Sequence, residues 1–196
     1  MHQESEWLSL ARKGNAQAFS ELVEIYQRPV YNLCYRMLGN AQEAEDASQE
    51  AFLRAYRSLK SFDPERKFAT WLLSIAANYC IDQHRKRRIT QVDMEAVPSN
   101  ELSSPIKGNE ARIIEWESSQ VIQDLLATLD PKDKAALILH YWYDYSYREI
   151  SKELSMTESA VKSRMHRARR NLAESIQGNT SQSLSFERRQ HEAATI

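Results

Sequence analysis

The stretch Ser146-Tyr147-Arg148-Glu149-Ile150-Ser151-Lys152-Glu153-Leu154-Ser155-Met156-Thr157-Glu158-Ser159-Ala160-Val161-Lys162-Ser163-Arg164-Met165-His166-Arg167 decides the fold. Ser146 followed by Glu149 is a capping box, and it opens a short helix through Leu154. After Ser155 and Met156, Thr157 can cap a second helix, expected to run to about Ile176. Two helices joined by a three-residue turn form a helix-turn-helix pattern. Ile150, Leu154, Met156, Val161 and Met165 are spaced to hold the helices at a fixed angle, and Ser151 is small where they approach. Lys162, Ser163, Arg164, His166 and Arg167 then face outward. Arginine and lysine can bond the O6 and N7 acceptors of guanine, while serine and a helix N-terminus suit phosphates. The competing reading is a basic surface helix in a plain bundle.

Helical patterning continues upstream. Asp130-Pro131 reads as an N-cap followed by proline at the first helical position, starting a helix with Ala135, Leu137, Ile138, Leu139, Tyr141 and Trp142. Before it, Val121, Leu125, Leu126 and Leu129 make one amphipathic face. From Gln91 to about Ser118 the periodicity fades into a polar stretch with Pro98, Pro105 and Gly108, the expected domain boundary. Its roughly 25 residues span at most about 80–90 Å when extended.

The N-terminal half is also helical. Phe19, Leu22, Val23 and Tyr26, then Val30, Leu33, Cys34, Met37 and Leu38, follow helical spacing. Pro29 between them is expected to kink or divide the helix, and Gly39-Asn40 to stop it. Ala44, Ala47, Ala51, Phe52 and Ala55 share one face of the next helix. Glu45, Asp46, Gln49, Glu50 and Leu53 lie on the opposite face. Phe68, Trp71, Leu72, Ile75, Ala76 and Tyr79 pattern a further helix that ends in the basic run His84-Arg85-Lys86-Arg87-Arg88. Phe62 lies in the loop between these helices. Phe62, Trp71 and Tyr79 are interleaved with Lys67, Asn78, Arg85, Lys86 and Arg87, and rings beside cations suit unpaired bases. Trp71 and Tyr79 also fall on the apolar stripe and can be core. No strand-period segment of useful length occurs, so the fold class is all-α, in two small helical domains joined by a flexible linker.

Composition limits the function. The 196 residues are 42% hydrophobic and 27% charged, with only four glycines, which disfavours a glycine-built phosphate loop. No apolar run approaches the roughly 20 residues of a membrane span, and no signal sequence precedes the first helix. The expectation is a cytoplasmic chain without membrane insertion. Cys34 and Cys80 are too few for a disulfide scaffold. His2, His84, His140, His166 and His191 lack metal-ligand spacing, and no Glu-x-x-His motif accompanies the carboxylates. A helical metalloenzyme is therefore disfavoured, and no catalytic residue, cofactor or metal is expected. The net charge of −1 conceals opposed clusters, which fit several partners at once. A stand-alone regulator, binding a palindromic operator as a symmetric dimer, remains an alternative.

Several of these stretches resemble the extracytoplasmic-function group of sigma-70-family sigma factors. Val30-Tyr31-Asn32-Leu33-Cys34-Tyr35-Arg36-Met37-Leu38-Gly39-Asn40, Glu43 to Tyr56, and Phe68-Ala69-Thr70-Trp71-Leu72-Leu73-Ser74-Ile75-Ala76-Ala77-Asn78 look like region 2. Leu129-Asp130-Pro131, Tyr147-Arg148-Glu149-Ile150 and Val161 to Arg169 look like region 4. The resemblance implies region 2 at residues 1–92, a linker at 93–117, region 4 at 118–176 and a mobile tail at 177–196. It implies a non-enzymatic factor that binds core RNA polymerase, through the clamp helices of the largest subunit and the flap of the second largest, and directs initiation at promoter DNA. Glu45, Asp46, Gln49, Glu50 and Leu53 would dock on polymerase. Phe62, Asp63, Lys67, Trp71, Ile75, Asn78, Tyr79, Asp82, Arg85 and Lys86 would bind and melt the −10 element, with a flipped base captured near Phe62 and Asp63. Thr157, Ser159, Ala160, Lys162, Ser163, Arg164, His166, Arg167 and Arg169 would read the −35 element. The chain has Ser159-Ala160 where the family commonly has Gly-Thr. An anti-sigma factor is a further expected partner.

Overall fold

The computed structural model describes the backbone of residues 2–93 and 120–193, and side chains over 3–87 and 120–177. The described residues are helical and contain no strand. The helices are α1 (His2–Arg12), α2 (Ala16–Leu38), α3 (Ala41–Ser58), α4 (Phe68–Asp93), α5 (residues 120–127), α6 (Pro131–Tyr143), α7 (Tyr147–Glu153) and α8 (Glu158–Ala193). A short 3-10 turn, Leu59–Ser61, follows α3.

Local chemistry sets the boundaries. Asn15 and Asn40 cap α2 and α3, their side-chain oxygens accepting the backbone N–H groups of Ala18 and Glu43, each at 3.0 Å. These bonds satisfy donors that a helix start leaves open. Gly39, at φ 76°, ends α2 in the left-handed region that glycine adopts without a Cβ clash.

Three expectations change. Pro29 does not divide the helix, because α2 is continuous across it. Leu22, Val30, Leu33, Cys34 and Met37 are fully buried on both sides of the proline, and this shared packing outweighs the roughly 3 kcal/mol an interior proline costs. Similarly, α8 does not give way to a tail after Ile176 but continues through Ala193. Residues 158–193 contain no proline and a single glycine, Gly178, whose cost of about 1 kcal/mol lowers helix content without stopping the helix. Finally, Phe62 is 2% exposed rather than a ring presented by a loop. Its ring lies edge-on to Phe68 at 5.7 Å and tilted against Trp71 at 4.9 Å, in the offset geometry aromatic quadrupoles favour. The expected linker falls almost wholly outside the described residues.

α2, α3 and α4 pack pairwise as a bundle with α1 against α2. The buried face of α3 is Ala44, Ala47, Ser48, Ala51 and Ala55, and these small side chains allow α2 and α4 to approach closely. In the C-terminal half, α8 packs on α6 and α7. Ile150, Val161, Met165 and Ala168 are fully buried there.

The two units meet where α6 packs on α2 and α4. Lys134 Nζ donates to the Met37 carbonyl at 3.2 Å, and His84 Nε2 lies 2.9 Å from the same oxygen. The Tyr143 and Tyr145 hydroxyls donate to the Pro29 and Thr70 carbonyls, both at 2.7 Å. The Arg36 guanidinium sits over the Trp142 ring at 5.0 Å, a cation–π contact.

Candidate nucleic-acid and polymerase interfaces

The α7–α8 frame is built as its spacing requires. The Ser146 side chain accepts from Glu149 N at 3.2 Å, and the Glu149 carboxylate accepts from Ser146 N and Oγ at 2.8 and 2.7 Å. Those donors lower the Glu149 pKa, since hydrogen bonds to the charged form favour it. Ser155 turns the chain at φ 50°. Thr157 Oγ1 then accepts from Ala160 N at 3.1 Å, opening α8.

On α8, Ser159, Lys162, Ser163, His166, Arg167, Arg169 and Arg170 are exposed, with Ala160 half-buried. Two of the α8 arginines, Arg164 and Arg167, are held by carboxylates at the start of α6. Arg164 Nη1 donates to Asp133 Oδ1 at 2.6 Å and lies 3.3 Å from Asp130 Oδ1. Arg167 Nε donates to Asp133 Oδ2 at 2.7 Å. Arg169 Nε turns back to the Met165 carbonyl at 3.1 Å. Sequence reasoning passed over Asp133, because an acid in the first turn of a helix ordinarily signals only a favourable dipole contact.

On α3, Glu45, Asp46 and Gln49 are exposed and Leu53 is 50% exposed. Glu50 accepts from Arg54 Nε at 2.8 Å, and that bond lowers its pKa. The structure therefore presents an acidic face that ends in an exposed leucine.

The expected −10 residues are divided between the α4 surface and its packing. Trp71, Ile75 and Tyr79 are half-buried, and the Arg54 guanidinium covers the Tyr79 ring at 4.7 Å. Asp63 and Lys67 are exposed, with Asp63 Oδ1 accepting from Glu65 N at 3.0 Å. Asp82 pairs with Arg85 at 3.4 Å, and Lys86 is exposed beside them. Asn78 donates to the Ser74 carbonyl at 3.0 Å and to the Glu153 carbonyl of α7 at 2.9 Å. Arg66 pairs with the Glu153 carboxylate. Among the described residues, no group of three or more His, Cys, Asp or Glu could hold a metal. Nor is any described helix long and apolar enough to cross a membrane.

Family comparison coincides with these units. Sigma-70 region 2 matches residues 22–89, and Sigma-70, region 4 matches residues 119–172. The chain is 40% identical over 172 residues to the ECF RNA polymerase sigma factor SigW of Bacillus subtilis, covering 84% of this chain and 92% of that protein. It belongs to the ECF sigma factors. The sigma-H factor of Pseudomonas aeruginosa is 30% identical, over 89% of this chain and 94% of its own length. The fold of this sigma factor is shared with CnrH, solved in complex with the cytosolic domain of CnrY, at a TM-score of 0.65 and 22% identity over 90% of this chain and 98% of that one. RpoE of Bartonella quintana, solved with the anti-sigma factor NepR, also has a TM-score of 0.65, with 20% identity over 83% of this chain and 98% of that one. The region 2 match spans most of α2 to α4, and the region 4 match runs from just before α5 into α8, so the sigma factor carries its two family segments on the two packed units.

Proposed function

We propose that this sigma factor recruits core RNA polymerase through α3 and directs initiation by engaging two promoter elements, the −10 element through α4 and the −35 element through α8. The observation carrying this reading is the segregation on α8. Val161, Met165 and Ala168 are fully buried against α6 and α7, while Lys162, Ser163 and His166 stand exposed on the other side. A helix so fixed can present a short reading edge to a major groove. Glu45, Asp46, Gln49 and Leu53 suit the clamp helices of the largest subunit, with the flap of the second largest subunit facing region 4. Melting would use Trp71, Ile75, Tyr79 and the exposed Asp63, with Arg85 and Lys86 on phosphates. The buried Phe62 supports this by propping the Trp71 ring rather than by stacking a base. Action in the cytoplasm follows from that partner.

Asn78, assigned to the −10 element, donates to the Glu153 carbonyl of α7, so its engagement of that element requires the units to part. RpoE of Bartonella quintana is solved with the anti-sigma factor NepR, which supports an anti-sigma partner for this chain.

The test is transcription by core polymerase reconstituted with the full chain, on templates selected from a genomic fragment pool. Core binding and initiation at a fixed upstream pair of elements support the reading. Tight operator binding by the chain alone, with no initiation, transfers it to a stand-alone regulator.

A further inference from the structure

Asp133 is 1% exposed, the one buried aspartate or glutamate among the described residues. It lies in the first turn of α6, outside the helix-turn-helix, and its neighbours are the guanidinium groups of Arg164 and Arg167. Arg167 meets it side-on, with Nε at 2.7 Å from Oδ2 and Nη2 at 3.4 Å from Oδ1. Arg164 meets it through Nη1 at 2.6 Å, and Asp130 approaches the same nitrogen at 3.3 Å. An arginine has five N–H donors in a rigid planar fork. Holding Arg167 by its Nε–Nη2 edge leaves the Nη1 end of the fork to point away from Asp133. The Arg167 side chain is half exposed, so that end is open to a ligand. Arg164 keeps Nε and Nη2.

From this geometry we infer that Asp133 is a positioning residue for promoter reading, orienting the Arg167 and Arg164 forks toward base edges and withholding them from phosphates. The inference rests on the reading of α8 as the −35 helix. Two consequences are chemical. A long side chain anchored at one edge has fewer rotamers to lose when it meets the O6 and N7 acceptors of a guanine. One carboxylate shared by two guanidiniums also reduces the positive charge available to a phosphate backbone, which holds down sequence-independent affinity. Asp133 should thus raise discrimination without raising overall affinity. A residue that merely fastens α6 to α8 would raise both.

The experiment uses the full chain with core polymerase. A pool of duplexes randomised at the −35 position is selected with the wild type. Affinities for the enriched and a scrambled duplex are then measured across a salt series for the wild type, Asp133→Asn and Asp133→Ala. The expected result is a fall of about tenfold in the enriched-to-scrambled affinity ratio. Scrambled-duplex affinity should be undiminished, with a salt slope steeper by about one. In an Arg164→Ala/Arg167→Ala background, Asp133→Asn should change the ratio no further. An unchanged ratio, or a loss of both affinities together, overturns the positioning role. So does a full further loss in the double-arginine background when thermal melts show that the variants are folded. A wild type that enriches no −35 sequence overturns the −35 reading itself, and is distinguished from the other failures by that.

Discussion

Asn78 Nδ2 donates to the backbone carbonyl of Glu153 at 2.9 Å, joining α4 to the end of α7 across 75 residues of sequence. The same α7 residue also pairs through its carboxylate with Arg66. Glu153 therefore takes one donor from α4 and one from the loop before it, holding the two units together beside the residues assigned to the −10 element. Arg66→Ala should favour separation. Because the Arg66 side chain is 41% exposed, solvent limits the effect to at most about 1 kcal/mol, a several-fold change in the closed-to-open ratio. Energy transfer between labels on α1 and α5 measures it, and an unaltered distance distribution would place the hold elsewhere.

Lys134 makes the same interface pH-sensitive. Burial lowers its pKa from 10.5 to about 8, so the packed state disfavours the charged ammonium that the unfolded chain keeps until about pH 10.5. The sign follows from linkage: stability is fully present above 10.5 and is lost as pH falls through 8. His84 has a lowered pKa and Tyr143 and Tyr145 raised ones, mainly through burial, so they hold one protonation state between pH 7.5 and 9.5. Urea denaturation across that window should show the wild type gaining about 2 kcal/mol more than Lys134→Met. Equal gains would remove Lys134 as the cause.

Ser155 holds φ 50° in the turn between α7 and α8, a left-handed conformation that costs an L-residue about 1–2 kcal/mol. Ser155→Gly relieves the Cβ clash at some cost in unfolded-chain entropy, and should stabilise by roughly 0.5–1 kcal/mol. Ser155→Val should do the opposite. Thermal melting reads both, and a fall in Tm for the glycine variant would contradict the assignment.

Leu53 is half exposed at the C-terminal end of the acidic α3 face. If that face meets polymerase, Leu53→Asp should weaken core binding by about tenfold or more, as loss of a buried interface anchor does, while the thermal melt of the free chain stays within about 0.5 kcal/mol. Core affinity by fluorescence anisotropy is the readout.

The α7–α8 frame was legible in advance because it depends on short-range rules. The Ser146–Glu149 box, the Thr157 cap and the alternation of Val161 and Met165 with Lys162 and Ser163 all act within a turn or two. Asp133 was not legible. Its partners lie 31 and 34 residues away, and an acid in a first helical turn looks the same whether it faces water or two guanidiniums. Phe62 misled for a related reason: turn-forming neighbours indicate a loop, but not whether a loop ring points inward.

The sequence by itself determined that the chain is helical, where α6, α7 and α8 begin, and which side of α2, α3 and α8 is apolar. Local hydrogen bonding and periodicity suffice for that. Only the tertiary structure decided that α2 runs through Pro29, that Arg164 and Arg167 are anchored by one carboxylate, and that α6 seats on α2 and α4 with Lys134 buried. Each of these is a balance between a local cost and a non-local gain: proline strain against shared core, arginine freedom against a buried anion, ammonium desolvation against helix packing. Periodicity contains the first term of each balance and not the second.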